Sequence, residues 1–274
     1  MRARVGTALL ATFALLFASV GLGRSQELRV IHDIVFATVD GVELTLDVYQ
    51  PEQAGPFPAV IAIHGGSWHG GDKSIWRTSA PALVEAGTVV YAIDYRLAPP
   101  GGNGRFRDAP SDVRLAIDWV RRNGATYGTD ASRIALLGSS AGGHLALVAA
   151  RAEGDGLRAV AAWSPATNLI ALARGPLATA VASFIGCSYG SCPRRYRIMS
   201  PVKRVRAENP PTLLAGSTDE LMPRGQGRTM AARLLEAGVH AEHLEIPGTA
   251  HGQALRDAVL ADTAAFLKGQ LEQR

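Results

Sequence analysis

Cysteine is scarce in this 274-residue chain: Cys187 and Cys192 are the whole complement. Two thiols exclude the dense disulfide framework of a small secreted scaffold, and a zinc site would need two further ligands that have no metal-binding spacing nearby. In an exported protein such an even pair reads as one small-loop disulfide, two free thiols being the other reading. No cysteine follows the leading apolar run, which argues against a lipoprotein. Excess charge is lacking too. The formal +4 includes Arg2, Arg4 and Arg24; residues 26–274 carry 25 basic and 24 acidic side chains, a net +1. Without a basic excess, nothing points to nucleic acid or an anionic membrane as partner. No internal repeat or low-complexity tract is visible, which excludes a repeat architecture.

What is present describes a globule. Apolar residues make up 47% and charged residues 19%, a balance that fills a core, and the length suits one α/β domain. Met1-Arg-Ala-Arg4 precedes an apolar run, Val5 to Leu22, and a small and polar exit at Gly23-Arg-Ser-Gln26. That pattern predicts a signal peptide over 1–25, a mature domain over 26–274, and a secreted or periplasmic location. An uncleaved membrane anchor is the alternative.

Ile31–Thr38 and Val42–Tyr49 are β-rich runs joined by Asp40-Gly41, a leading antiparallel hairpin. Short apolar runs then alternate with helical periodicity. The strands fall at 59–63, 89–93, 134–137, 159–163, 212–215 and 243–246, and the helices at 74–85, 111–122, 141–151, 225–237 and 253–267. This alternation predicts an α/β fold, a mostly parallel central sheet with helices on both faces. Residues 164–209 are too long for a plain connection and are read as a small cap.

Three segments carry chemistry. Gly138-Ser-Ser-Ala-Gly142 lies between an apolar strand and a helical pattern. A strand that turns at once into a helix strains its turning residue and requires small neighbours, so Ser140 is the candidate nucleophile, raised at a helix N-terminus. His144, one turn along that helix, reads as packing, because a base on the same helix would have no acid to orient it. His64-Gly-Gly-Ser-Trp68 follows the 59–63 strand; the amides of Gly66 and Ser67, with that of Ala141, are the candidate oxyanion hole. A metal reading of His64, His69 and Asp72 follows no known spacing. After the last two strands, Asp219 and Glu220 are candidate acids, and His251, between Ala250 and Gly252, is the candidate base.

With these residues assembled, the chain resembles the α/β-hydrolase superfamily over nearly all of residues 26–274, and in particular the esterase branch related to hormone-sensitive lipase. Asp94-Tyr-Arg-Leu-Ala-Pro99 is similar to that branch's hallmark, which implies that Asp94 and Arg96 brace the oxyanion loop. Ser67 replaces the third glycine of the branch's loop, and Pro100 its usual acid; His64-Gly-Gly-Ser-Trp68 with Gly70-Gly-Asp-Lys73 is instead similar to bacterial carboxylesterases that include acetylxylan and feruloyl esterases. The resemblance implies a triad of Ser140, Asp219 and His251, Asp219 being preferred to Glu220 because it lies three residues past Gly216. It implies a small-molecule ester substrate with a small or medium acyl group, and neither metal nor organic cofactor. An amidase such as arylformamidase, which shares the His-Gly-Gly-x-Trp loop, and a non-catalytic binder on the same fold are the other readings.

Overall fold

The computed structural model describes residues 28–98, 106–153 and 156–273; the export signal read at 1–25 lies outside the described residues. Eight strands form one sheet: β1 (Leu28–Val39), β2 (Val42–Pro51), β3 (Phe57–Ile63), β4 (Val89–Ile93), β5 (Thr129–Ser139), β6 (Ala159–Trp163), β7 (Thr212–Ser217) and β8 (Ala241–Ile246). Their spatial order is β1-β2-β4-β3-β5-β6-β7-β8. The β1–β2 and β2–β4 pairs are antiparallel and the rest parallel. The hairpin turn places both Asp40 (φ 51°) and Gly41 (φ 77°) in the left-handed region, the geometry whose twist matches the flanking strands.

The central strands β3, β4 and β6 are buried on both faces because they are apolar throughout, and alternate residues serve different layers. In β3, Ala59, Ile61 and Ile63 pack into one core with α2 (Asp108–Asn123), α3 (Ala141–Glu153) and α7 (Gln226–Glu236). Val60 and Ala62 face the other, with α1 (Ala80–Glu85) and α8 (Arg256–Glu272). The single helix expected over 74–85 is instead a 3₁₀ turn, Lys73–Thr78, followed by α1, with Pro at the start of the second segment. Proline lacks the amide that a continuous helix would need there.

Residues 164–209 hold α4 (Leu169–Leu172), α5 (Ala178–Ile185), α6 (Pro193–Ile198) and a 3₁₀ turn at Pro201–Lys203. They bury Leu169, Leu172, Val181, Phe184, Ile185, Tyr196 and Met199 against the α3 side of the core. Cys187 and Cys192 are disulfide-bonded, Cα atoms 6.2 Å apart, between α5 and α6. Because β3, β5, β6, β7 and β8 run in the same direction, the loops that follow them lie along one sheet edge. The candidate residues come from four of those loops.

Candidate active site

Ser140 stands between the last residue of β5 and the first of α3, with φ 54°. That conformation costs a non-glycine residue roughly 1–2 kcal/mol and persists only when the surroundings enforce it. Here the Ser140 N–H donates to the carbonyl of Trp163 (2.7 Å) and its own carbonyl accepts from the His144 N–H (3.0 Å). The glycines are demanded by close backbone approach. A Cβ on Gly138 would lie 2.3 Å from the Gly142 oxygen, and one on Gly142 only 2.1 Å from that of Ile63.

His251 arrives from the loop after β8 and places Nε2 2.9 Å from Oγ of Ser140. Its Nδ1 meets a carboxylate of Glu220, not of Asp219. Asp219 is therefore a predicted triad residue that the structure places elsewhere. Its N–H is held by the carbonyl of Gly248 (2.9 Å), and its carboxylate turns outward to Arg224 and to the Thr218 hydroxyl (2.9 Å). Arg224 holds that carboxyl below the usual aspartate range. One residue on, Glu220 turns inward with a side chain only 6% exposed. Its Oε1 accepts the Ser217 N–H (3.1 Å), which leaves Oε2 for His251. Gly216 makes room for it, since a Cβ there would sit 2.6 Å from Oε1 of Glu220. A carboxylate can only accept, so Nδ1 of His251 carries its proton and Nε2 presents a lone pair to the serine hydroxyl.

The imidazole is steadied by a residue the sequence did not reveal. Ser164, at the end of β6 with φ 47°, accepts the Gly252 N–H on its Oγ (3.0 Å). A serine closing an apolar strand carries no sequence signal for that role.

The His64–Trp68 loop lies against the nucleophile: a Cβ on Gly65 would come 3.3 Å from Cβ of Ser140. The loop coils tightly, with Gly66, Ser67 and Trp68 at φ 115°, 54° and 65°, and the Gly66 carbonyl accepts the amides of His69 (3.1 Å) and Gly70 (3.0 Å). Among the described residues, the Gly66 and Ser67 amides have no hydrogen-bond acceptor. The Ala141 amide is in the first turn of α3, where no intrahelical acceptor exists. His64 is buried, stacks on Tyr95 (4.2 Å) and directs Nδ1 to the Gly65 carbonyl (2.6 Å), while Asp72 caps the following turn through the Ser74 N–H (2.8 Å). Burial lowers the His64 pKa.

The bracing residues divide their work. Asp94 accepts the Lys73 N–H (2.8 Å) and lies 3.3 Å from Nζ of Lys73, fixing the chain just beyond the loop. The Ala98 N–H reaches the Trp68 carbonyl (2.8 Å). Among the described residues Arg96 makes no hydrogen bond or ion pair with the loop: it forks onto Asp112 of α2 (2.8–3.1 Å) and reaches Asp40 in the hairpin turn (3.1 Å).

A family model, BD-FAE, matches residues 46–234, a span that holds Ser140, Glu220 and the His64–Trp68 loop and ends before His251. The chain belongs to the BD-FAE family. Among curated proteins, this BD-FAE chain is 31% identical over 252 residues to the ethyl acetate hydrolase of Pseudomonas putida, covering 84% of this chain and 77% of that one. It is 29% identical over 257 residues to esterase LipC of Mycobacterium tuberculosis, covering 86% of this chain. It spans 63% of the length of LipC and 61% of esterase LipQ from the same organism. Among solved structures, an esterase of Pyrobaculum calidifontis superposes with a TM-score of 0.74 at 28% identity, over 88% of this chain and 85% of that one. A carbohydrate esterase from gut microbiota shares the fold with a TM-score of 0.81 at 23% identity, over 91% and 98% of the two chains. The BD-FAE chain thus has the α/β-hydrolase fold, in the branch related to hormone-sensitive lipase.

Proposed function

We propose that this protein is a carboxylesterase that works through an acyl-enzyme on Ser140, with His251 as base and Glu220 as the acid that orients it. The observation that carries the reading is the unbroken series Glu220–His251–Ser140, with the imidazole proton on the carboxylate side. As Oγ attacks an ester carbonyl, its proton passes to Nε2 of His251, and Glu220 stabilises the imidazolium. The carbonyl oxygen becomes an oxyanion, and the Gly66, Ser67 and Ala141 amides are the donors available to it. The tetrahedral intermediate collapses as the imidazolium returns the proton to the departing alcohol. Water, deprotonated by His251, then releases the acid and restores the serine.

The neighbouring ethyl acetate hydrolase and the short cap both support small acyl groups. The leading apolar segment and the disulfide support export. Replacing Ser140 by Ala tests the chemistry: the variant should fold with unchanged Tm and give no turnover of p-nitrophenyl acetate or labelling by a fluorophosphonate. Retained turnover would overturn the assignment. Release of mature protein lacking residues 1–25 tests export; an N-terminus still at Met1 in a membrane fraction would contradict it.

A further inference from the structure

Behind the reacting groups lies a buried polar contact that the mechanism does not use. His144, on the first turn of α3, is fully enclosed. The indole Nε1–H of Trp68 donates to its Nδ1 (3.1 Å), and its Nε2 faces the Met199 carbonyl at the end of α6 (2.8 Å). An indole nitrogen only donates and a carbonyl only accepts, so the protonation of this ring is fixed: lone pair on Nδ1, proton on Nε2. Burial agrees, pulling its pKa from 6.5 to about 4 and keeping it neutral. Trp68 also stacks on Phe184 of α5 (4.8 Å, 17° between planes), and His144 meets both rings edge-on at 5.3 and 5.4 Å.

The loop end held by this contact is strained. Ser67 and Trp68 are consecutive non-glycine residues in the left-handed region, and such backbone survives only where its surroundings hold it. The Ser67 amide is one of the proposed oxyanion donors, directly preceding the anchored tryptophan. The helix that carries His144 begins at the residue after Ser140, so one imidazole joins donor loop, nucleophile turn and cap.

We propose that Trp68 and His144 are positioning residues that hold the oxyanion loop in register with Ser140 through a hydrogen bond braced by the cap. This rests on the esterase reading above and extends it. Losing one oxyanion donor typically costs on the order of 100-fold in kcat, because donors act on the transition state more than on bound substrate. A loosened loop should therefore lower kcat while leaving KM nearly unchanged.

The test uses the full chain with Trp68→Phe, His144→Leu, His144→Gln and the Trp68→Phe/His144→Leu pair, assayed on p-nitrophenyl acetate alongside Tm. Trp68→Phe keeps an aromatic ring beside Phe184 and deletes the donor together with part of the buried indole. We expect it and His144→Leu to lower kcat roughly 10- to 100-fold with KM within about twofold. The pair should lose no more than the worse single variant. His144→Gln, whose amide can accept from the indole and donate to Met199, should recover most of kcat. Trp68→Phe retaining wild-type kcat in a folded protein would overturn the proposal. So would equal losses in His144→Gln and His144→Leu at equal Tm, or multiplicative losses in the pair. If the wild-type protein hydrolyses no ester, the esterase reading fails instead, and the two failures are distinct.

Discussion

Glu220→Gln is the substitution that most sharply divides the two adjacent acids. The Glu220 carboxylate is held from both sides, Oε1 by the Ser217 N–H at 3.1 Å and Oε2 by Nδ1 of His251. A glutamine in the same place must keep its oxygen toward Ser217, because that partner can only donate. Its NH₂ then faces Nδ1, and the imidazole can meet it only by moving its proton to Nε2. The lone pair that receives the serine proton is lost. A wrong tautomer of this kind costs on the order of 10⁴-fold in kcat, about 5 kcal/mol in barrier. The size and shape of the side chain are conserved, so Tm should change little. Asp219→Asn removes a carboxylate that is 51% exposed and faces an Arg224 that is 79% exposed. Such a solvent-screened pair contributes little, and activity should stay within about twofold of wild type. The assay is kcat/KM on p-nitrophenyl acetate with circular dichroism to confirm folding. Asp219→Asn losing more than 100-fold while Glu220→Gln remains active would refute the geometry outright.

Gly216→Ala adds a Cβ at 2.6 Å from Oε1 of Glu220 and should displace the acid, lowering kcat roughly 10- to 100-fold, measured with the same ester; unchanged kcat would show that the carboxylate has room to spare. His144 gives the fold a pH dependence. Its pKa is about 4 folded against 6.5 unfolded, so between these values the unfolded chain binds the extra proton and stability falls as pH drops. The loss approaches about 3 kcal/mol by pH 4, and the Tm difference between wild type and His144→Gln should shrink across that window if other groups titrate alike. Residues 164–209 should also give the protein an affinity for cation exchangers that its net charge does not foretell. Residues 164–209 carry seven basic side chains and only Glu208 as acid, a local +6 against −5 in the rest of 26–274. Arg194, Arg197 and Lys203 are exposed and make no ion pair among the described residues. Retention on a sulfopropyl resin at low salt, lost in Arg194→Glu/Arg197→Glu, is the expected result.

The sheet was legible because most of its parallel strands hold a short apolar run, and the nucleophile because Gly138-Ser-Ser-Ala-Gly142 sits where a strand must become a helix without intervening residues. The acid was not. Asp219 and Glu220 are chemically alike and adjacent, and which of them turns inward is decided by the Asp219 amide on Gly248 and the space left at Gly216, neither of which has a sequence signature. The Trp68–His144 contact was hidden differently. A histidine on an apolar helix reads as packing, which it partly is, and its partner lies 76 positions away. The averaged charge concealed the basic segment 164–209 because acids elsewhere cancel it.

The order of the strands carries a consequence for how activity appears. Ser140 belongs to the middle of the sheet, whereas the carboxylate and imidazole follow β7 and β8, the last two strands in chain order among the described residues and the outermost on that side. A chain truncated before residue 251 could lay down the nucleophile turn and its glycine loop and still turn over nothing. Colour from a chromogenic ester is thus a report that β8 has docked, and it can serve as a folding clock for this sheet.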